Sequence, residues 1–141
     1  MKDVKQHRIH QGVSFAFDGF EGQGLVALSG LVERGDSDID PDVLFLELDD
    51  GQRFRFFLDA GLAFWKMGTD PAIEVDESTR FVDYVVFFGL ARETIASIEV
   101  RPSGPEGFAK LTIRFESGRA LELVFVDESD IDSPTVIREV C

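Results

Sequence analysis

The chain has 141 residues, of which 44% are hydrophobic, and its formal net charge at pH 7 is −13. Intrinsically disordered chains carry far less apolar material, and so acidic a surface repels nucleic acid and anionic membranes. The sequence contains no run of about 18 apolar residues, so we expect no membrane-spanning helix. These properties predict one folded domain, residues 1–141, built around a single hydrophobic core.

The first ten residues are rich in basic side chains, and we expect them to form an unstructured arm. They contain Lys2, Lys5, His7, Arg8 and His10. The arm lacks the apolar core of a secretory signal. Cys141 is the single cysteine, so no intrachain disulfide is predicted. A cytoplasmic location is therefore our expectation.

Residues 43–58, VLFLELDDGQRFRFFL, alternate in the manner of a β-hairpin. A three-residue loop over 49–51 brings Leu46 opposite Phe54 and Glu47 opposite Arg53, which makes one face uniformly apolar. That loop requires a left-handed residue at its third position, where Gly51 stands. Because a slip of one residue would expose the apolar face, the register is predicted to be fixed.

Residues 110–125, KLTIRFESGRALELVF, repeat this arrangement with a loop over 116–118. The apolar face then consists of Leu111, Ile113, Leu121 and Leu123, and Thr112 pairs with Glu122 on the other face. The hairpins are offset by 67 residues, and the match continues upstream without a gap, since LSGLVER at 28–34 falls on IASIEVR at 95–101. We predict a mainly β fold in which a duplicated four-stranded antiparallel meander forms a sandwich or barrel of about eight strands.

The predicted boundaries follow from these two units. The first repeat covers 11–58, with strands near 12–20, 24–33, 43–49 and 52–58, and the second covers 80–126, with strands near 80–89, 93–101, 108–116 and 119–126. In the linker, 59–79, Asp59 and the Asp70-Pro71 pair are helix start signals. The C-terminal segment, 127–141, fits either a helix opened by Ser133-Pro134 or a strand of β-branched residues. One or two short helices are therefore expected.

Negative charge is concentrated in residues 33–50, which contain eight acidic residues and one basic residue, Arg34. Six of them form the predicted partner-binding surface: Asp36, Asp38, Asp40, Asp42, Asp49 and Asp50. Their spacing imitates a calcium loop, but Pro41 stands where that loop needs glycine, so no metal site is predicted. A looser divalent site at 36–40 stays open. Ser-Asp-Ile-Asp recurs at 129–132, but the copies do not align at the 67-residue offset, so we interpret the recurrence as coincidence.

The sequence offers no convergent nucleophile, base and oxyanion donor, and both histidines lie in the N-terminal arm, so neither catalytic residues nor a cofactor are predicted. Our first hypothesis is an acidic soluble protein-binding module, such as an inhibitor or immunity-type protein that neutralises a basic, nuclease-like partner. The alternatives are a small β-barrel that holds an apolar ligand and an enzyme that uses carboxylates or a divalent metal. A homodimer formed through exposed sheet edges is also compatible with the pattern.

Overall fold

The computed structural model describes residues 10–16, 20–67 and 77–140. Eleven strands and one helix are present in these ranges: β1 (His10–Gly12), β2 (Phe15–Ala16), β3 (Leu25–Glu33), β4 (Val43–Leu48), β5 (Arg53–Asp59), β6 (Leu62–Met67), β7 (Thr79–Asp83), α1 (Tyr84–Phe88), β8 (Ile95–Ser103), β9 (Phe108–Phe115), β10 (Ala120–Phe125) and β11 (Thr135–Val140). Six strands form one antiparallel sheet, in the order β1-β6-β5-β4-β3-β7. The other five form a second, in the order β11-β10-β9-β8-β2.

The two sheets face each other across one hydrophobic core, so the arrangement is sandwich-like. The prediction of a mainly β fold is confirmed. Leu46 and Phe54 supply the core from the first sheet, and Ile113 and Leu121 supply it from the second, each with at most 3% of its surface exposed. In the described part of the chain no helix is long and apolar enough to cross a membrane.

Both predicted hairpins form with the predicted loops. Leu46 pairs with Phe54 and Glu47 with Arg53 in the first, and Ile113 pairs with Leu121 and Thr112 with Glu122 in the second. In each loop the third residue is left-handed, with φ of 86° at Gly51 and 95° at Gly118. The alternation of side chains therefore determined the register in both cases.

Each sheet contains one four-stranded meander, β3-β4-β5-β6 in the first and β8-β9-β10-β11 in the second. The strands that begin the two meanders correspond at an offset of 70 residues, because both carry a bulge at the same place, after Leu25 in β3 and after Ile95 in β8. The gap-free upstream match at an offset of 67 is therefore wrong. The hairpins correspond at an offset of 67 residues, three fewer than the strands that precede them. The first meander therefore has three more residues than the second between its first two strands, and these lie in the connection at 34–42.

Several predicted elements differ from the structure. Residues 62–67 form β6, not a helix after Asp59, because six residues pair with β5 and Phe64 stacks on Phe57 at 4.8 Å. Such cross-strand aromatic pairs stabilise a strand more than the capping signal at Asp59 stabilises a helix. The strand predicted at 80–89 ends at Asp83, where α1 begins.

Three further segments complete the comparison with the sequence. The C-terminal segment adopts its strand alternative and pairs as β11 with β10. The predicted unstructured arm is wrong at its last residue, His10, which pairs with β6 as part of β1. His7, the Asp70-Pro71 pair and Cys141 lie outside the described residues.

Substitution of the loop glycines tests this account. Gly51→Val and Gly118→Val should each lower the free energy of unfolding by about 1 kcal/mol or more, because a β-branched residue resists the left-handed conformation. A Cβ at either position would meet no atom within 4 Å, so the cost isolates the backbone. Gly51→Asn and Gly118→Asn, which tolerate this conformation, should cost less in urea denaturation. Equal stability of the Val variants and the wild type would contradict the three-residue loops.

Candidate functional site

The first acidic segment, residues 36–42, crosses from β3 to β4 with its backbone tied to other elements. The Tyr84 hydroxyl donates to the Asp38 carbonyl at 2.7 Å. The Ile137 N–H donates to the carbonyl of Ile39 at 2.9 Å, and the Thr135 hydroxyl donates to the carbonyl of Pro41 at 2.8 Å. Hydrogen bonds from α1 and β11 therefore fix the course of this connection.

The carboxylates of the segment are turned outward. Asp36, Asp38 and Asp42 are exposed and Asp40 is half-buried. Arg80, on β7, accounts for part of this arrangement, because its guanidinium lies 2.5 Å from the Asp38 carboxylate and donates to the Asp36 carbonyl at 3.0 Å. The segment thus combines a backbone held in place with a strongly negative outer surface.

Tyr84 is the anchor that sequence reasoning missed. Its side chain is fully buried, and it occupies space that Gly30 leaves open, since a Cβ at Gly30 would lie 2.6 Å from the tyrosine ring. A glycine in the interior of strand β3 was the available signal, because such a residue often marks close approach of another group. Burial, followed by the negative charges of Asp38 and Asp40, raises the pKa of Tyr84. The hydroxyl therefore stays protonated and remains a donor to the segment.

Asp42 lies in an unfavourable electrostatic position. Partial burial, followed by repulsion from Glu33 and Asp36, raises the pKa of its carboxyl. Like charges close together disfavour ionisation. Partial burial and the neighbouring negative charges therefore both disfavour the ionised form of Asp42.

The other two predicted site residues are elsewhere. Asp49 and Asp50 lie in the loop between β4 and β5, where the Asp49 N–H donates to the carbonyl of Gly24 at 2.9 Å. The six residues of β4 separate this loop from the first acidic segment, which corresponds to about 20 Å at the rise of an extended strand. The structure therefore does not bring the six predicted aspartates together.

The second acidic segment, residues 127–132, precedes the strand that touches the first. Thr135, which bonds to Pro41, is three residues beyond Asp132. The turn of the second acidic segment is stabilised locally, because the Ser129 hydroxyl and N–H both donate to the Asp127 carboxylate. These hydrogen bonds lower the pKa of the Asp127 carboxyl. The two copies of Ser-Asp-Ile-Asp lie in non-equivalent connections, the first between β3 and β4 and the second between β10 and β11, so they are not a duplicated site.

Neither metal binding nor a known family provides a further guide. Within the three described ranges, no group of three or more His, Cys, Asp or Glu residues is placed to hold a metal ion. Comparisons with protein-family models, with curated proteins and with solved structures found no match.

The partial burial of Asp42, together with the repulsion from Glu33 and Asp36, predicts a pH-dependent stability difference. Its carboxyl has a folded-state pKa above the ordinary 3.8, so stability contributed by the protonated form is lost as pH rises through that window. Asp42→Asn should therefore raise the melting temperature at pH 7, by an amount equivalent to at most about 1 kcal/mol for so exposed a group. The gain should vanish below pH 3.8. Asp49→Asn, at the other end of β4, measures the general effect of removing one charge, and an equal gain there would refute the local explanation.

Removal of the Tyr84 hydroxyl should loosen the first acidic segment. Tyr84→Phe leaves the part-buried carbonyl of Asp38 without its donor, which should cost about 1–2 kcal/mol of unfolding free energy. Amide exchange should accelerate at Asp40, whose N–H bonds to Ser37 within the segment. Thr135→Val, which removes the bond to Pro41, should act in the same direction. Unchanged exchange in both variants would show that these bonds do not hold the segment.

Proposed function

We propose that the protein is an acidic binding module that engages a basic protein, in the manner of an inhibitor or immunity-type protein directed at a nuclease-like partner. The observation that carries the proposal is the first acidic segment, whose backbone is fixed by bonds to Asp38, Ile39 and Pro41 while Asp36, Asp38 and Asp42 are exposed. A surface fixed before binding loses little conformational freedom when the partner docks.

Electrostatics supports the same partner class. A net charge of −13 accelerates encounter with a cationic surface. The repulsion among Glu33, Asp36 and Asp42 would be relieved by lysine or arginine side chains of a partner. The lone cysteine favours a reducing, cytoplasmic setting for this interaction.

The alternative functions draw no comparable support from the described residues. Inward-facing phenylalanines contact one another, as Phe20 and Phe54 do with ring centres 4.6 Å apart, which is the packing of a filled core. An enzyme that uses a divalent metal would need convergent ligands, and the described ranges offer no such group.

Affinity capture with charge-neutralised variants tests the proposal. The immobilised protein is exposed to lysate of its source organism at low and at high salt. The wild type should retain a stoichiometric protein with a pI above about 9, and Asp36→Asn/Asp40→Asn/Asp42→Asn should retain much less of it. Asp38 is left unchanged because it pairs with Arg80, so the variant keeps that ion pair.

A matched control removes the same charge at the opposite loops. Asp49→Asn/Asp50→Asn/Glu116→Gln replaces three exposed carboxylates in the two hairpin loops and should retain the partner almost as well as the wild type. Equal loss of partner retention in both variants would indicate that net charge alone, and not the first acidic segment, determines binding. Retention of no basic protein by the wild type would overturn the proposal.

A further inference from the structure

We propose that Val86 and Phe87, on α1, form the apolar anchor of the partner-binding surface and insert into an apolar pocket with a basic rim. This inference rests on the proposed function and specifies the chemistry of the partner. It also separates two roles, in which the acidic segment accelerates encounter and the apolar pair determines how long the complex lasts.

The two side chains are unusually exposed for apolar residues of a well-anchored element. Val86 is 76% exposed and Phe87 is 49% exposed, whereas Tyr84 and Leu90 on either side are completely buried. Aromatic residues are enriched at the centres of protein interfaces, where a few side chains carry most of the binding energy. The buried neighbours hold α1 on the core, and this leaves the pair projecting from the surface.

Both ends of α1 are capped. The Asp83 carboxylate accepts from the N–H groups of Val85 and Val86, at 3.0 and 3.3 Å. Gly89 ends the helix in the left-handed conformation with φ of 67°, and the Leu90 N–H donates to the carbonyl of Val85 at 2.8 Å. These are the interactions that satisfy the free backbone groups of a helix end.

Arg119, in the loop between β9 and β10, binds the C-terminal end of α1. Its guanidinium donates to the carbonyls of Phe88 and Gly89, the latter at 2.7 Å. Glu139 holds the guanidinium through two bonds of 2.7 and 3.0 Å. A five-residue helix would not persist in water by itself, so the Arg119 hydrogen bonds help to hold Val86 and Phe87 in a fixed geometry. A fixed geometry lowers the entropic cost of binding.

Negative charge lies close to the helix that carries the apolar pair. The ring of Phe87 lies 6.2 Å from that of Tyr84, and the Tyr84 hydroxyl contacts the backbone of Asp38. The capping carboxylate of Asp83 lies beneath Val86. A partner that covers the pair meets a chain of net charge −13 with a carboxylate, Asp83, at the N-terminus of the helix, which favours an apolar pocket rimmed by lysine or arginine and disfavours a second copy of this acidic chain.

Site-specific photocrosslinking in lysate of the source organism tests this placement. Phe87 is replaced by benzoylphenylalanine, a conservative aromatic change, and Val26 is replaced in the same way as a control. Val26 is 52% exposed and lies at the bulge of β3, next to the loop of Asp49. We expect one basic protein to crosslink at position 87 and not at 26. The adduct should disappear in Asp36→Asn/Asp40→Asn/Asp42→Asn.

The protein identified by this crosslink then serves as the probe for kinetics. Val86→Ser and Phe87→Ala should each raise Kd by roughly tenfold or more through faster dissociation, with the association rate and its salt dependence unchanged. The triple Asn variant should instead slow association. Val86 is so exposed that its variant keeps the test valid if Phe87→Ala disturbs folding.

The possible failures are distinguishable. A basic partner that binds through the aspartates but crosslinks only at 26, or is unaffected by both apolar variants, would overturn this inference and leave the proposed function standing. A crosslink at 87 to a second copy of the chain would also overturn it. Capture of no basic protein would remove both proposals together.

Discussion

The fold depends on one junction where the two meanders begin. The Leu25 N–H donates to the carbonyl of Glu93 at 2.9 Å, and the Ile95 N–H donates to that of Gln23 at 2.8 Å, around the bridge between Gly24 and Thr94. The strands that precede the junction cross between the sheets, since β2 pairs with β8 and β7 pairs with β3. Each sheet therefore contains a strand from the other half of the chain, and we expect neither half to complete its sheet alone.

This exchange also positions the candidate surface. Because β7 pairs with β3, the helix that follows it begins beside Gly30, and Tyr84 enters the core at the one place in β3 where a side chain is lacking. The tyrosine hydroxyl then reaches the Asp38 carbonyl. The geometry of the acidic segment is thus a consequence of strand exchange, and the same step joins the segment to α1 through the Tyr84 hydrogen bond.

The parts of the fold that could be predicted are those determined by residues close together in the sequence. The loops that contain Gly51 and Gly118 were found because side-chain alternation permits one register only. Helix α1 was missed because its sequence, YVVFF, favours a strand, and the caps at Asp83 and Gly89 outweigh that preference. The bond from Tyr84 to Asp38 spans 46 residues, and no local pattern indicates a contact at such separation.

The acidic residues differ in what they do for the folded state. The carboxylates of Asp127 and Glu139 accept hydrogen bonds that lower the pKa of each, so their ionised forms favour folding at neutral pH. Asp42 is the opposite case, because burial and repulsion raise the pKa of its carboxyl and its charge opposes folding. A cationic partner would offset the repulsion by supplying a counter-charge. The proposed partner would therefore place a demand on Asp42 that is opposite to that of folding: neutralising it should strengthen the fold and weaken the proposed complex, whereas loss of a carboxylate with a purely structural role would weaken the fold first.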